Sequence, residues 1–179
     1  MTRQQTFNII IFLLLICGFT SCRQSVKPNN YLVLFSDINQ AQFGYKNTAG
    51  DTIIPLGKYP RCFTDTFKTY AIVAKPYSGF IAIDRQENIL YQVFAYDNGP
   101  DYISDGVFRI IENKKLGFAE AATGEVVIKP QFDCAFPFAN GVAKVSINCE
   151  IQSDGEHNSW ISNDWLYINK KGKKVERPL

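Results

Sequence analysis

The sequence predicts an all-β chain, an array of about four short β-hairpin or three-stranded units forming twisted antiparallel sheets. Three observations predict it. Short runs rich in Val, Ile, Phe and Tyr recur along the chain, each cut by a turn containing Gly, Asn or Asp. One script of residues returns several times after residue 30. Apolar residues make up 46% and aromatics 14%, which supplies a core and excludes a disordered chain.

The chain opens on a segment of another kind. Arg3 is followed by an unbroken apolar run over 9–16 (IIIFLLLI), then by the small residues Thr20 and Ser21 and by Cys22. Even with Phe7 and Phe19 the run is short for a membrane span, so residues 1–21 read as a signal peptide. An ordinary signal peptide cut nearby and a buried helix are the alternatives. The stretch Phe19-Thr20-Ser21-Cys22 resembles the bacterial lipobox: an apolar residue, two small ones, then cysteine. Phe19 stands where Leu is commoner, and Bacteroidetes-type lipoproteins are the more tolerant there. The resemblance implies cleavage after Ser21 and a diacylglyceryl thioether, usually with an added acyl group, on Cys22. Each buried methylene contributes about 0.8 kcal/mol, so several acyl chains make a lasting anchor to the lipid bilayer. With no acidic run after Cys22 and no Asp at position 23, the family pattern implies an outer membrane location facing the periplasm. Residues 22–30 are polar with one proline and read as a flexible tether. Residues 31–179 form the repeat domain.

The fullest unit reads Leu116-Gly117-Phe118-Ala119-Glu120, a turn over 121–124, then 126–132 (VVIKPQF). It continues through Phe136, Phe138 and Asn140-Gly141 into 142–145 (VAKV). An earlier unit runs Phe43-Gly44-Tyr45, a turn over 47–50, 52–55 (TIIP) and Tyr59, then Phe63 and Phe67 into 70–73 (YAIV). Between them lie Gly79-Phe80-Ile81, a turn over 84–88, Ile89-Leu90, Tyr96-Asp97 and 105–110 (DGVFRI). A truncated copy, 165–168 (WLYI), enters the turn 169–172 (NKKG) and stops after Val175. The Gly-aromatic pairs at Gly44, Gly79 and Gly117 are 35 and 38 residues apart.

Turn chemistry supports this arrangement. Asn47 and Asn169 each precede a glycine by three residues, the pattern of a type I turn closed by a left-handed Gly. In the second unit Asn88 is the candidate for that left-handed position. A Gly before each aromatic suggests backbone passing close to a neighbour. Pro55 and Pro130 are expected just past the second strand, where no ladder N–H is needed. In the last strand of the fullest unit, alternation turns Ala143, Val145 and Ile147 to one side and Val142, Lys144 and Ser146 to the other.

The pattern resembles the WG (KWG) repeat, whose units run roughly W-G-Y-I-D-x-x-G-x-x-V-I-x-P-x-[YF]-D and then through an aromatic and a Gly to a short strand. The match is best over 116–147, good over 43–73 and weaker over 79–111. Trp165 carries the naming Trp but is followed by Leu166 in place of Gly; Phe43, Ser78 and Leu116 replace the Trp elsewhere. The resemblance implies hairpins that cover one another, in a propeller-like or solenoid-like array, and no settled biochemical activity.

Nineteen basic against 17 acidic residues give +2, too balanced an account for a nucleic-acid partner. Beyond Cys17 and Cys22, an odd set of Cys62, Cys134 and Cys149 allows one bridge and a free thiol, or none. Cys134, beside Phe132 and Phe136, reads as a small buried hydrophobe. Residues 150–164 (EIQSDGEHNSWISND) read as a polar insertion in loop form. It holds the only histidine, His157, near Asp154, Glu156 and Asp164, in a spacing that matches no metal-ligand pattern. Trp160 in this insertion is open to stacking on a sugar, anchoring a partner, or tucking onto the core; Trp165 is the other candidate contact. The lysines at 170, 171, 173 and 174 read as a solvated hairpin tip.

No nucleophile-base pattern, phosphate loop or cofactor motif is legible. Three functions remain. The leading one is a non-enzymatic binding or scaffold lipoprotein that offers aromatics and loops to an envelope protein or a glycan. An envelope hydrolase would need a clustered, partly desolvated pair among Asp84, Asp97, Asp101, Asp105 and Asp133. A purely structural envelope protein would show neither feature.

Overall fold

The computed structural model describes residues 31–153, 155 and 158–177, and every element in them is a β-strand. Cys22 and the tether lie outside the described residues, as do Asp154, Glu156 and His157.

The strands group into four antiparallel three-stranded meanders. The first is β1 (Leu32–Asp37), β2 (Gln42–Asn47) and β3 (Thr52–Tyr59), and β4 (Thr66–Phe67) in the following link pairs back to β1. The second is β5 (Ala71–Lys75), β6 (Gly79–Ile83) and β7 (Ile89–Val93), followed by a small hairpin of β8 (Ala95–Tyr96) and β9 (Gly99–Pro100). The third is β10 (Val107–Glu112), β11 (Lys115–Glu120) and β12 (Val126–Phe132), after which comes β13 (Cys134–Ala135). The last joins β14 (Val142–Ser146) to β17 (Leu166–Asn169) and β18 (Lys174–Val175). A hairpin of β15 (Glu150–Ser153) and β16 (Asn158–Ile161) is inserted between β14 and β17. The second, third and fourth meanders are each made of the closing strand of one sequence unit and the opening hairpin of the next, and the second and third join through β7 and β10 in one six-stranded sheet.

The three links share one geometry. The end of each meander pairs briefly with the first strand of the next, at Cys62↔Val73, Val93↔Ile110 and Ala135↔Val145. One residue on, Phe63, Phe94 and Phe136 donate their N–H groups to the carbonyls of Ile72, Arg109 and Lys144, at 2.9, 3.0 and 2.9 Å. The chain then folds over, and successive meanders bury apolar faces against each other. Leu32, Tyr45 and Ile54 of the first meet Ala71, Val73, Ile81 and Ile83 of the second. Ala82 and Val93 of the second meet Phe108, Ile110 and Ala119 of the third. Val107, Phe118 and Ile128 of the third meet Ala143, Val145 and Ile168 of the fourth. No hairpin could bury such faces alone, so stacking is what stabilises the array. The middle meanders are covered on both sides, and β10 and β11 accordingly bury four consecutive residues each.

The repeat is visible in packing detail. Tyr45 and Phe67 meet edge-on at 5.2 Å and 71°, and Phe118 and Phe138 at 4.8 Å and 69°. A Cβ on Gly44 would lie 2.5 Å from the Ile54 carbonyl oxygen, and one on Gly117 2.5 Å from that of Ile128, so both glycines are dictated by close backbone approach at a bulge. Gly79 is different: its φ is +70°, it closes the β5–β6 turn, and only Gln92 comes near. The turns set the true register. Asn47, Asp84 and Asn169 each accept two backbone N–H groups through Oδ1 and precede a left-handed residue by three positions. Gly44 stands three residues before Asn47, and three before Asp84 is Ile81, so Ile81 and not Gly79 occupies the place of Gly44 and Gly117.

Four other expectations are corrected. In the second unit Glu87, with φ +64°, takes the left-handed position, while Asn88 donates to Asp84 Oδ2. Pro55 and Pro130 lie inside β3 and β12; both are outermost strands with bulged pairing, where a missing N–H costs little. Ile147 does not join Ala143 and Val145: β14 ends at Ser146, whose hydroxyl accepts the Asn148 N–H, and Ile147 is left 59% exposed. Residues 150–161 are a paired hairpin and not a plain loop.

Candidate functional site

Two of the three repeat-equivalent link phenylalanines, Phe94 and Phe136, belong to a ladder of aromatic side chains, while the third, Phe63, meets Phe80 instead. Trp160, carried by β16, bridges the first two, 5.9 Å from Phe94 and 5.4 Å from Phe136 between ring centroids. Trp165, just before β17, follows at 5.5 Å from Phe136. At the other end Tyr96 and Tyr102 meet edge-on at 5.3 Å. Cations punctuate the ladder: Arg109 lies 4.2 Å over Phe94, and Lys144 lies 4.3 Å over Trp165 and 5.5 Å over Phe136. Phe136, Tyr96 and Tyr102 are exposed, while Phe94, Trp160 and Trp165 are half-buried.

Both sequence candidates thus belong to one surface. Trp160 is not a free loop residue: half-buried, it tucks against the core between the third and fourth meanders and packs on Phe94 and Phe136. The partners Phe94 and Phe136 were not singled out as contacts by the sequence; the signal available was their common place one residue beyond each meander.

The inserted hairpin is fixed at its base. Cys134 and Cys149 form a disulfide, with Cα atoms 6.0 Å apart, which corrects the reading of Cys134 as a mere buried hydrophobe. Their side chains meet because β13 pairs with β14 and the chain turns back directly after it. The Ser146 and Ser162 hydroxyls lie 2.8 Å apart, and Asn148 Nδ2 donates to Asp164. Among the described residues Cys62 is the free thiol, buried behind Tyr45, and burial pushes it up to about 11. Burial likewise raises Tyr45, with the Cys62 thiol adding to the effect.

The acids sit in structural roles. Asp101 and Arg109 form a pair whose side chains are 1% and 4% exposed: Nε and Nη2 of Arg109 donate to the two carboxylate oxygens at 2.8 and 2.5 Å. The Arg109 backbone N–H also donates to Asp101, and Nη1 donates to the Ala135 carbonyl. Such a fully bonded buried pair fixes geometry more than it adds stability. Asp84 closes its turn, and the Asn88 side-chain hydrogen bond holds its carboxyl below the usual range. Asp97 sits in the β8–β9 turn with φ +44°. Asp105 accepts the Gly141 N–H, and Asp133 pairs with Lys115. The one buried carboxylate of the five, Asp101, is therefore bonded to both the guanidinium and the backbone N–H of Arg109.

Among the described residues no group of three or more His, Cys, Asp and Glu side chains could hold a metal ion. Lys170, Lys171, Lys173 and Lys174 flank the β17–β18 turn, and Lys170 Nζ donates to the Asp105 carbonyl. Beside Trp165 a shallow cleft of about 630 Å³ is lined by Tyr167, Lys174, Val175 and Arg177. Residues 122–148, from the β11–β12 turn to just past β14, match the family model of the WG containing repeat. Among curated proteins no match to the chain is found.

Proposed function

We infer that this protein is a WG-repeat lipoprotein of Bacteroidetes type, anchored in the cell envelope through acylated Cys22, and that it works as a non-enzymatic binding module. Its expected place is the outer membrane, facing the periplasm. The observation that carries the binding role is the ladder Phe94–Trp160–Phe136–Trp165, extended by Tyr96 and Tyr102. Rings of this size left half-open on a rigid edge are the residue types that dominate binding hot spots. Two successive links each deliver one phenylalanine to the ladder, Phe94 and Phe136, so the stack acts as scaffold and the insertion adds Trp160. The partner is an envelope protein or a glycan.

The test is a pull-down of the tagged, natively lipidated protein from its own envelope, against the Phe136→Ala/Trp160→Ala variant. A reproducible partner lost in the variant supports the reading. Identical recovery from both proteins, with the variant folded, removes the ladder as the binding surface and leaves a structural role. Fatty-acid analogue labelling that persists in Cys22→Ala would remove the anchor.

A further inference from the structure

The repeat places Ile72, Arg109 and Lys144 at one position: each accepts the N–H of its link phenylalanine through its own carbonyl. Within a strand, a residue's N–H and C=O point to the same side, so the three N–H groups face the link as well. In the second meander that N–H is taken by Thr64 Oγ1 at 2.9 Å. In the third it is taken by Asp101 Oδ2 at 2.8 Å, and the same carboxylate binds the Arg109 guanidinium. Asp101 is itself held through its backbone, donating its N–H to the Phe94 carbonyl at 2.7 Å. The Arg109 side chain lies over the Phe94 ring.

The fourth meander repeats this arrangement without its acid. Lys144 carries the cation, 5.5 Å over Phe136, the counterpart of Phe94. Among the described residues no acceptor takes the Lys144 N–H and no donor takes the Phe136 carbonyl. In the third meander the equivalent face is roofed by the fourth; here the face is open, with Phe136 39% exposed and Trp165 beside it.

We propose that Lys144 and Phe136 form a receptor for an aspartate, in an extended segment of a partner protein, that docks as Asp101 docks on Arg109. The partner's carboxylate accepts from the Lys144 N–H and Nζ, its backbone N–H donates to the Phe136 carbonyl, and its neighbouring residues run along Trp165 and Trp160. A peptide fits better than a sugar because the internal occupant uses a backbone N–H together with its carboxylate. This deepens the binding reading above by naming the partner class.

The chain supplies its own probe: the blocked heptapeptide NGPDYIS, residues 98–104, and its Asp→Asn form. Full-chain protein in detergent micelles is titrated with each, and the amide resonance of Lys144 and the tryptophan emission are followed. The aspartate peptide is expected to shift the Lys144 amide and to bind at least about tenfold more tightly than the Asn form, the ratio set by about 1.4 kcal/mol. Lys144→Met should abolish that discrimination and Lys144→Arg should keep it, which separates lost charge from lost fold. Equal binding of the two peptides, no shift at Lys144, or unchanged discrimination in Lys144→Met overturns the proposal. So does sodium glucuronate giving the same shift at the same affinity, which would assign the site to an acidic sugar. If the peptide fails while Phe136→Ala/Trp160→Ala still loses its envelope partner, the ladder stands and only the carboxylate receptor falls.

Discussion

Replacing Gly117 by alanine should cost far more than the same change at Gly79, although both glycines precede a phenylalanine. A Cβ at 117 would stand 2.5 Å from the Ile128 oxygen, 2.6 Å from the Pro130 nitrogen and 2.8 Å from the Lys129 carbonyl carbon, all backbone atoms. The carbonyl must retreat by roughly 1 Å to reach ordinary contact, and no rotamer can absorb that. Overpacking of this kind costs about 1–3 kcal/mol, and loosening the bulge between Phe118↔Ile128 and Leu116↔Phe132 adds about 1 kcal/mol per hydrogen bond lost. Reduced entropy of the unfolded chain returns about 0.4–1 kcal/mol, leaving a net loss of about 1–4 kcal/mol with one such bond lost. At Gly79 the nearest atom to such a Cβ is 3.8 Å away, so only the left-handed φ of +70° is penalised, for a net of about 1 kcal/mol. Urea titrations of both variants, followed by tryptophan emission, measure the difference. A Gly117→Ala protein no less stable than Gly79→Ala would refute the close-approach argument and the repeat register built on it.

Asp101→Asn strands the Arg109 charge inside the stack and should destabilise by about 3–5 kcal/mol, whereas Asp101→Asn combined with Arg109→Met should recover much of it; a double-mutant cycle by denaturation decides. Losing the Cys134–Cys149 bridge, which spans 15 residues, should cost about 3 kcal/mol in a Cys134→Ala/Cys149→Ala protein and shift tryptophan emission to the red as Trp160 leaves Phe94; an unshifted spectrum would mean that the bridge does not position the hairpin. Cys62, raised from 9.0 to about 11, should resist alkylation at pH 8 until the chain is unfolded, as read by peptide mass spectrometry. Its folded form holds the proton more tightly than its unfolded form, so stability should fall as pH rises from about 9 towards 11 and be unaffected below that window; Cys62→Ala should flatten this slope.

The sequence carried the fold where local chemistry determines it. Asn47 and Asn169 announce their turns, and Gly44 and Gly117 announce backbone contact, because each depends on one residue's conformational range. It misled where two patterns coincide. Gly79-Phe80 imitates Gly117-Phe118, yet its glycine serves the turn before β6, and the reliable marker was Asp84, whose carboxylate does the work of an asparagine. Sheet composition was harder still: that 70–73 pairs with the following hairpin, not the preceding one, is decided by how meanders fold over at the links. The ladder was half legible. Trp160 and Trp165 stood out by type, but Phe94 lies beside a hairpin insertion that hides its equivalence to Phe63 and Phe136. The disulfide follows from the path of β13 and β14, which no cysteine spacing specifies.

The most direct measurement places a photo-crosslinking benzoylphenylalanine at Phe136 in one protein and at Asn47, in the polar turn of the first meander, in another. Both are expressed with their anchors and irradiated in intact cells. Adducts of defined mass at position 136, with none at 47, are what a binding ladder requires. The same adducts at both positions, or none at either, would contradict it.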